Sequence, residues 1–228
     1  MKRYIVSRGK IMFAVHVHPC PESEQIIINV PGYKGDIDGY NDKYRKIGER
    51  LSKKGVAAFV QMPNIVRDDD PDEYCRELNA DVIATCHDVR RYARNICGAA
   101  APSICLAGFS AGGAAVASVA HAVSAKKVLL MEPSVVMSIW EDVSESLRNL
   151  TGDLYMVTGS GPEAIGPDDG RRFYDLAPRR VQKGFHAIPD CDHQFKGTRN
   201  GQIMAKAFEW AFAGDTTFPS PEGGLVLY

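Results

Sequence analysis

The sequence predicts an α/β fold: one domain built on a mostly parallel central sheet with helices on both faces. Three observations predict it. Short apolar runs alternate with amphipathic stretches along the whole chain, the pattern of parallel strands joined by right-handed helical crossovers. The apolar run at 103–107 passes through Gly108-Phe109-Ser110-Ala111-Gly112 into an alanine-rich helical stretch, a sharp strand-to-helix turn. Finally, 228 residues, 45% hydrophobic and 24% charged, carry no repeat and no linker, which suits a single domain.

The elements follow in order. Ile11–His18 and Gln25–Val30 are rich in β-branched residues and read as strands, split by a turn at Pro19-Cys20-Pro21-Glu22, giving the sheet an antiparallel start. The loop Pro31-Gly32-Tyr33-Lys34-Gly35-Asp36 leads to a helix with Tyr40, Tyr44, Ile47 and Leu51 on one face and its basic residues elsewhere, ended by Gly55. Residues 56–60 form a buried strand. The acidic run 68–73 invites a cation-site reading. Asp70 before Pro71, with Glu73 three residues on, instead predicts a helix start: a cap, a first-turn proline and acids near the positive helix end. That helix carries Leu78, Val82, Cys86, Val89, Ala93 and Ile96 on one face and stops at Gly98. Strands are predicted at Lys127–Met131, 154–158 and 181–188, short helices within 134–150 and 173–177, and a last helix over about 200–213. The tail 216–228, with two prolines and two glycines, is expected to be extended or loose.

A formal net charge of −1 gives no basic face for nucleic acid or an anionic membrane. Residues 1–8 are basic but lack the apolar run of a secretion signal, and no stretch reaches membrane-spanning length, so a cytoplasmic setting is expected. The six cysteines show no C-x-x-C and no zinc-ligand spacing, and read as reduced, buried apolar residues. Cys191 stands out because it lies two residues from His193. His16 and His18 share a strand face, but without a third ligand they read as exposed strand polarity rather than a metal pair.

Ser110 is the candidate nucleophile. In a strand–turn–helix setting the G-x-S-x-G turn projects the serine from the top of the sheet at the positive end of the following helix. Acyl transfer then requires a base, an acid to orient it, and N–H donors for the developing oxyanion. Suitable loops lie at the carboxyl ends of later strands, in the order serine, acid, histidine.

On these residues the chain resembles the α/β-hydrolases, from about residue 11 to 213, with 214–228 as a C-terminal tail of a single domain spanning 1–228. The resemblance rests on the Gly108-to-Gly112 turn, the loop Pro31-Gly32-Tyr33, and the late histidine in Ile188-Pro189-Asp190-Cys191-Asp192-His193-Gln194-Phe195. It is nearest to small capless serine esterases, dienelactone-hydrolase-like proteins and acyl thioesterases, although a serine stands here in place of the cysteine usual in dienelactone hydrolases. It implies an oxyanion hole from the N–H groups of Ala111 and Tyr33. Pro31-Gly32 replaces the family's usual His-Gly, a change that a backbone donor tolerates.

His193 alone among the six histidines follows a late strand and precedes the last helix, so it is the candidate base. For the acid, similarity to the family's loop puts Glu163 first, Asp168 second as an alternative helix cap, and Glu132 third, at a strand end where some members carry their acid. Only 134–150 separates two strands at the place where family members insert caps. The expectation is an open cleft edged by Tyr33, Phe195 and Trp140, with Met137 nearby. The implied function is a serine hydrolase acting on a small ester or thioester through an acyl-serine, with no cofactor or metal and a small acyl compound as its partner. A peptidase or lactonase on the same triad, or a non-catalytic binding protein, are the alternatives.

Overall fold

The computed structural model describes residues 1–228. Eight strands form one sheet: β1 (Lys2–Arg8), β2 (Ile11–His18), β3 (Gln25–Val30), β4 (Ala58–Gln61), β5 (Ser103–Phe109), β6 (Lys127–Met131), β7 (Asp153–Gly159) and β8 (Lys183–Ile188). Their spatial order is β1-β2-β4-β3-β5-β6-β7-β8. From β4 to β8 every neighbouring pair is parallel.

The antiparallel start differs from the sequence expectation. β2 does not pair with β3; it pairs antiparallel with β1 on one side and β4 on the other. The strand β1 went unread because its basic residues mask a two-residue alternation in which only Val6 is buried. Arg8 and Arg67 converge on Asp81, at 2.9 and 2.6 Å, and tie this edge of the sheet to the helix that follows β4.

Seven helices cover the sheet: α1 (Lys43–Lys53), α2 (Pro71–Arg91), α3 (Ala93–Ile96), α4 (Ala111–Val119), α5 (Trp140–Arg148), α6 (Pro167–Leu176) and α7 (Thr198–Ala213). Asp70 caps α2 as the sequence implies, its carboxylate accepting from the Glu73 N–H at 2.9 Å. Alternate side chains of the buried strands enter opposite cores. Ile26, Ile28, Leu106 and Leu130 pack beneath α2, α4, α5 and α6. Ile27, Ala107, Leu129 and Met131 pack beneath α1 and α7. A sheet buried on both faces explains the near-continuous apolar runs of β3, β5 and β6.

The tail is packed rather than loose. Leu227 is fully buried, and its carbonyl accepts from Asn41 Nδ2 at 2.6 Å and Lys46 Nζ at 3.3 Å. Phe218 stacks on Trp210, with ring centroids 4.8 Å apart. No helix is long and apolar enough to cross a membrane. The only helix between β6 and β7 is α5, so no cap domain stands above the strand ends.

Candidate active site

Ser110 lies between the last residue of β5 and the first of α4, with φ 56° and ψ −122°. That backbone is costly for a residue with a side chain and persists only where the surroundings dictate it. Here they do. A β-carbon at Gly108 would overlap the Gly112 carbonyl, and one at Gly112 would overlap the carbonyls of Val30 and Pro31. Both positions therefore need glycine, which is the physical content of the G-x-S-x-G pattern. The Ser110 N–H donates to the Met131 carbonyl at 3.0 Å and its own carbonyl accepts from Ala114 N and Ser134 N, locking the turn to β6.

The loop after β8 brings His193 over this turn. Its Nε2 stands 3.1 Å from Ser110 Oγ, and its ring lies 5.0 Å from that of Phe109, centroid to centroid. The loop is pinned from the segment just after β7, where the Gly161 N–H donates to the Cys191 carbonyl at 2.9 Å. The Cys191 side chain points into the core, fully buried, and burial pushes its thiol up to about 12, so it is no nucleophile at neutral pH.

The carboxylate beside His193 is that of Glu132. Its Oε2 lies 3.4 Å from His193 Nδ1. Glu132 is fully buried at the end of β6, with φ 48°, a left-handed backbone that turns the side chain across the strand ends. Both oxygens are held as acceptors: Oε1 by the Gly159 N–H, and Oε2 by the Ile165 N–H at 2.7 Å. A buried carboxylate with two backbone donors is a satisfied group, so its position is well defined.

Glu163, ranked first from sequence, does not reach His193. Its side chain is 77% exposed and its carboxylate lies 3.7 Å from Lys196 Nζ. The loop that resembles the family's acid loop contributes instead the Ile165 N–H that holds Glu132. Asp168 is an exposed first-turn residue of α6 and makes no contact with His193.

The loop after β3 abuts the nucleophile. A β-carbon on Gly32 would lie 3.2 Å from Ser110 Cβ, so the peptides of Pro31, Gly32 and Tyr33 run directly beside the turn. This loop is held by a residue that sequence patterning missed. Asn64, 4% exposed, donates through Nδ2 to the carbonyls of Pro31 (3.1 Å) and Gly32 (2.9 Å), and its Oδ1 accepts from Tyr74 OH at 2.9 Å. Its sequence signal was faint: an asparagine just after a buried strand, next to a proline.

A cleft of about 460 Å³ opens over Ser110 and His193, walled by Tyr33, Tyr40, Lys43, Tyr44, Phe109 and Gln194 among others. Tyr33 lines it as expected. Phe195 does not: it is fully buried between the sheet and α7, because a left-handed backbone at φ 55° turns it inward after His193. Trp140 does not either; it packs edge-on against Phe173 at 5.3 Å beneath the Arg172 guanidinium, on the α5–α6 side. His18 also departs from expectation. It is 3% exposed and bonded to Gln61 at 2.8 Å, while His16 pairs with Asp38 at 3.1 Å. No group of three or more histidine, cysteine or acidic side chains has metal-ligand geometry.

No family model matches the sequence, and no curated protein does. Solved structures match along nearly the whole chain. Est1E from Butyrivibrio proteoclasticus is 14% identical with a TM-score of 0.69, covering 90% of this chain and 95% of its own. A dienelactone hydrolase from Anabaena variabilis is 13% identical with a TM-score of 0.68, covering 92% and 98%. XC6422 from Xanthomonas campestris, described as an α/β serine hydrolase without lid, is 16% identical with a TM-score of 0.67 and covers 91% of both chains. The chain thus has the α/β-hydrolase fold, without a lid.

Proposed function

We propose that this chain is a serine hydrolase that cleaves a small carboxylic ester or thioester through an acyl-serine intermediate. The observation that carries this reading is the contact of Ser110 Oγ with His193 Nε2 at 3.1 Å, with Glu132 on the far side of the imidazole. In this reading Ser110 Oγ attacks the acyl carbon as His193 Nε2 takes its proton. The N–H groups of Ala111 and Tyr33 face the oxyanion that forms. As the bond from acyl carbon to leaving group breaks, His193 returns the proton to the leaving oxygen or sulfur. Water, deprotonated by the same nitrogen, then attacks the acyl-serine; the bond from acyl carbon to Ser110 Oγ breaks, His193 returns the proton to Oγ, and the acid is freed. Glu132 keeps Nδ1 protonated and offsets the imidazolium charge, the role that the sequence reading gave to Glu163. The chemistry requires no metal and no organic cofactor. That the structural neighbours are esterases and hydrolases supports this reading at the level of fold.

The test is turnover of p-nitrophenyl esters and acyl-thioesters from acetyl to palmitoyl, for the wild type and Ser110→Ala. The open cleft offers few apolar contacts for a long chain, and each buried methylene adds only about 0.8 kcal/mol. Short acyl groups should therefore be cleaved best, with no activation by micelles. Ser110→Ala should retain only a residue of the rate. Equal turnover by that variant would sink the assignment.

A further inference from the structure

Among the residues that line the cleft, Lys43 is the single lysine or arginine. It opens α1, lines the same cleft as His193, and is 4% exposed. A lysine so buried normally meets a carboxylate or a carbonyl. Lys43 meets aromatic faces only: its Nζ lies 4.8 Å from the ring centroid of Phe109 and 5.1 Å from that of Tyr44. Burial alone draws its pKa down to about 8, and no anionic neighbour offsets the shift. The one acid lining the cleft, Asp36, forms no ion pair with it, and its carboxylate accepts instead from the Asp38 N–H at 2.8 Å. Cation–π contacts soften the cost of burial but leave the ammonium's hydrogen-bond donors unused.

Its place relative to the candidate nucleophile is defined by one ring. Phe109, the residue before Ser110, carries the Lys43 ammonium 4.8 Å from its centroid and the His193 imidazole 5.0 Å from it. The ammonium and the imidazole are therefore no farther apart than those two distances laid end to end. A separation within that bound admits a short chain with a scissile carbonyl at one end and a second polar group at the other. The protein offers no acceptor to this cation, and the residue lines the cleft, which fits a substrate group with negative charge. A single positive charge matches a monoanion better than a phosphate dianion.

We propose that Lys43 is an anion anchor, and that the esters cleaved in this cleft carry a carboxylate on a short chain, held by the Lys43 ammonium while Ser110 attacks. The carboxylate takes no part in the bonds that form and break. This inference rests on the hydrolase reading above, extends it to a substrate class, and can fail separately from it.

The experiment compares kcat/KM within two matched pairs of esters. One pair places the charge on the acyl side: the mono-p-nitrophenyl ester of glutaric acid against the p-nitrophenyl ester of monomethyl glutarate. The other places it on the leaving group: 4-carboxyphenyl acetate against 4-(methoxycarbonyl)phenyl acetate. In the wild type the charged member of at least one pair should be preferred on the order of tenfold or more. Lys43→Met, which keeps the buried stem and removes the charge, should bring that ratio to about one, and Lys43→Arg should restore part of it. Glutarate itself should compete with the neutral ester in the wild type, a measurement that stands if Lys43→Met does not fold. Ratios near one in both pairs for the wild type, or a preference that persists in Lys43→Met, overturn the anchor while leaving the hydrolase reading intact. If none of the four esters is turned over, or if Ser110→Ala turns them over undiminished, the hydrolase reading falls and the anchor with it.

Discussion

Glu132 and His193, 61 residues apart in sequence, meet at 3.4 Å across the carboxyl ends of β6 and β8. The Glu132 side chain bridges the ends of β6 and β7, because its Oε1 accepts from Gly159 and its Oε2 from Ile165. The acid is thus fastened to the sheet, whereas Glu163 sits on an exposed loop beside Lys196.

Exchange of Glu132 for glutamine should separate the two carboxylates by function. Glu132→Gln loses the charge opposite the imidazole and turns an amide N–H₂ toward backbone donors. Turnover should fall by about 10²- to 10⁴-fold, and stability by about 1–3 kcal/mol from the unsatisfied donor. Glu163→Gln should keep turnover within about twofold, since the pair it forms with Lys196 is exposed. Steady-state kinetics and urea unfolding of both variants check this.

Asn64 is expected to act through the loop it holds. Asn64→Asp replaces the donor to the carbonyls of Pro31 and Gly32 with a repelling acceptor. The Tyr33 N–H should drift from the oxyanion position, lowering kcat by about 10²-fold with little change in KM, as for loss of one oxyanion donor. A rise in KM at constant kcat would show that the loop positions substrate instead.

Phe195 should behave as core. Phe195→Ala removes a fully buried ring from the layer beneath α7 and should cost about 3–5 kcal/mol in chemical unfolding. Acyl-chain preference, measured below the unfolding transition, should be unchanged. A shifted preference would return Phe195 to the cleft wall.

Lys43 should lower stability at neutral pH for the sake of its position. Its folded pKa of about 8 lies below the 10.5 of a free lysine, so between those values the unfolded state holds more protons and stability rises with pH. Below about 8 the cost of burying the charge is fully present. Lys43→Met should therefore be more stable than the wild type at pH 7, by about 1–3 kcal/mol. The difference should shrink as pH passes from about 8 to 10.5. Urea midpoints across that range measure it, and a pH-independent difference would mean that the ammonium is not desolvated.

The parallel sheet, the turn at Ser110 and the histidine loop were legible because each is written locally: buried runs, glycines where no β-carbon fits, a polar loop before a helix. What escaped depends on long-range geometry. Three acids beyond two strand ends were candidates, and what singles out Glu132 is its positive φ and the register that sets Gly159 against it. Its signal was an acid placed directly after the buried run Val128 to Met131 and before Pro133, a site where solvation is lost. Phe195 looked like a cleft wall because sequence does not show the inward turn after His193. Lys43 looked like one more basic residue on the polar side of α1, and only the burial of its neighbours Tyr44 and Phe109 encloses it.

The proposed hydrolase chemistry stands on activation of Ser110 by His193 for attack on an acyl-like centre. The most direct measurement is intact-protein and peptide mass spectrometry after reaction with a fluorophosphonate. The wild type should gain one phosphonyl group, on the peptide that contains Ser110. His193→Ala should react orders of magnitude more slowly, and Ser110→Ala not at all. An unlabelled wild type, a label on another residue, or labelling undiminished in His193→Ala would contradict that activation.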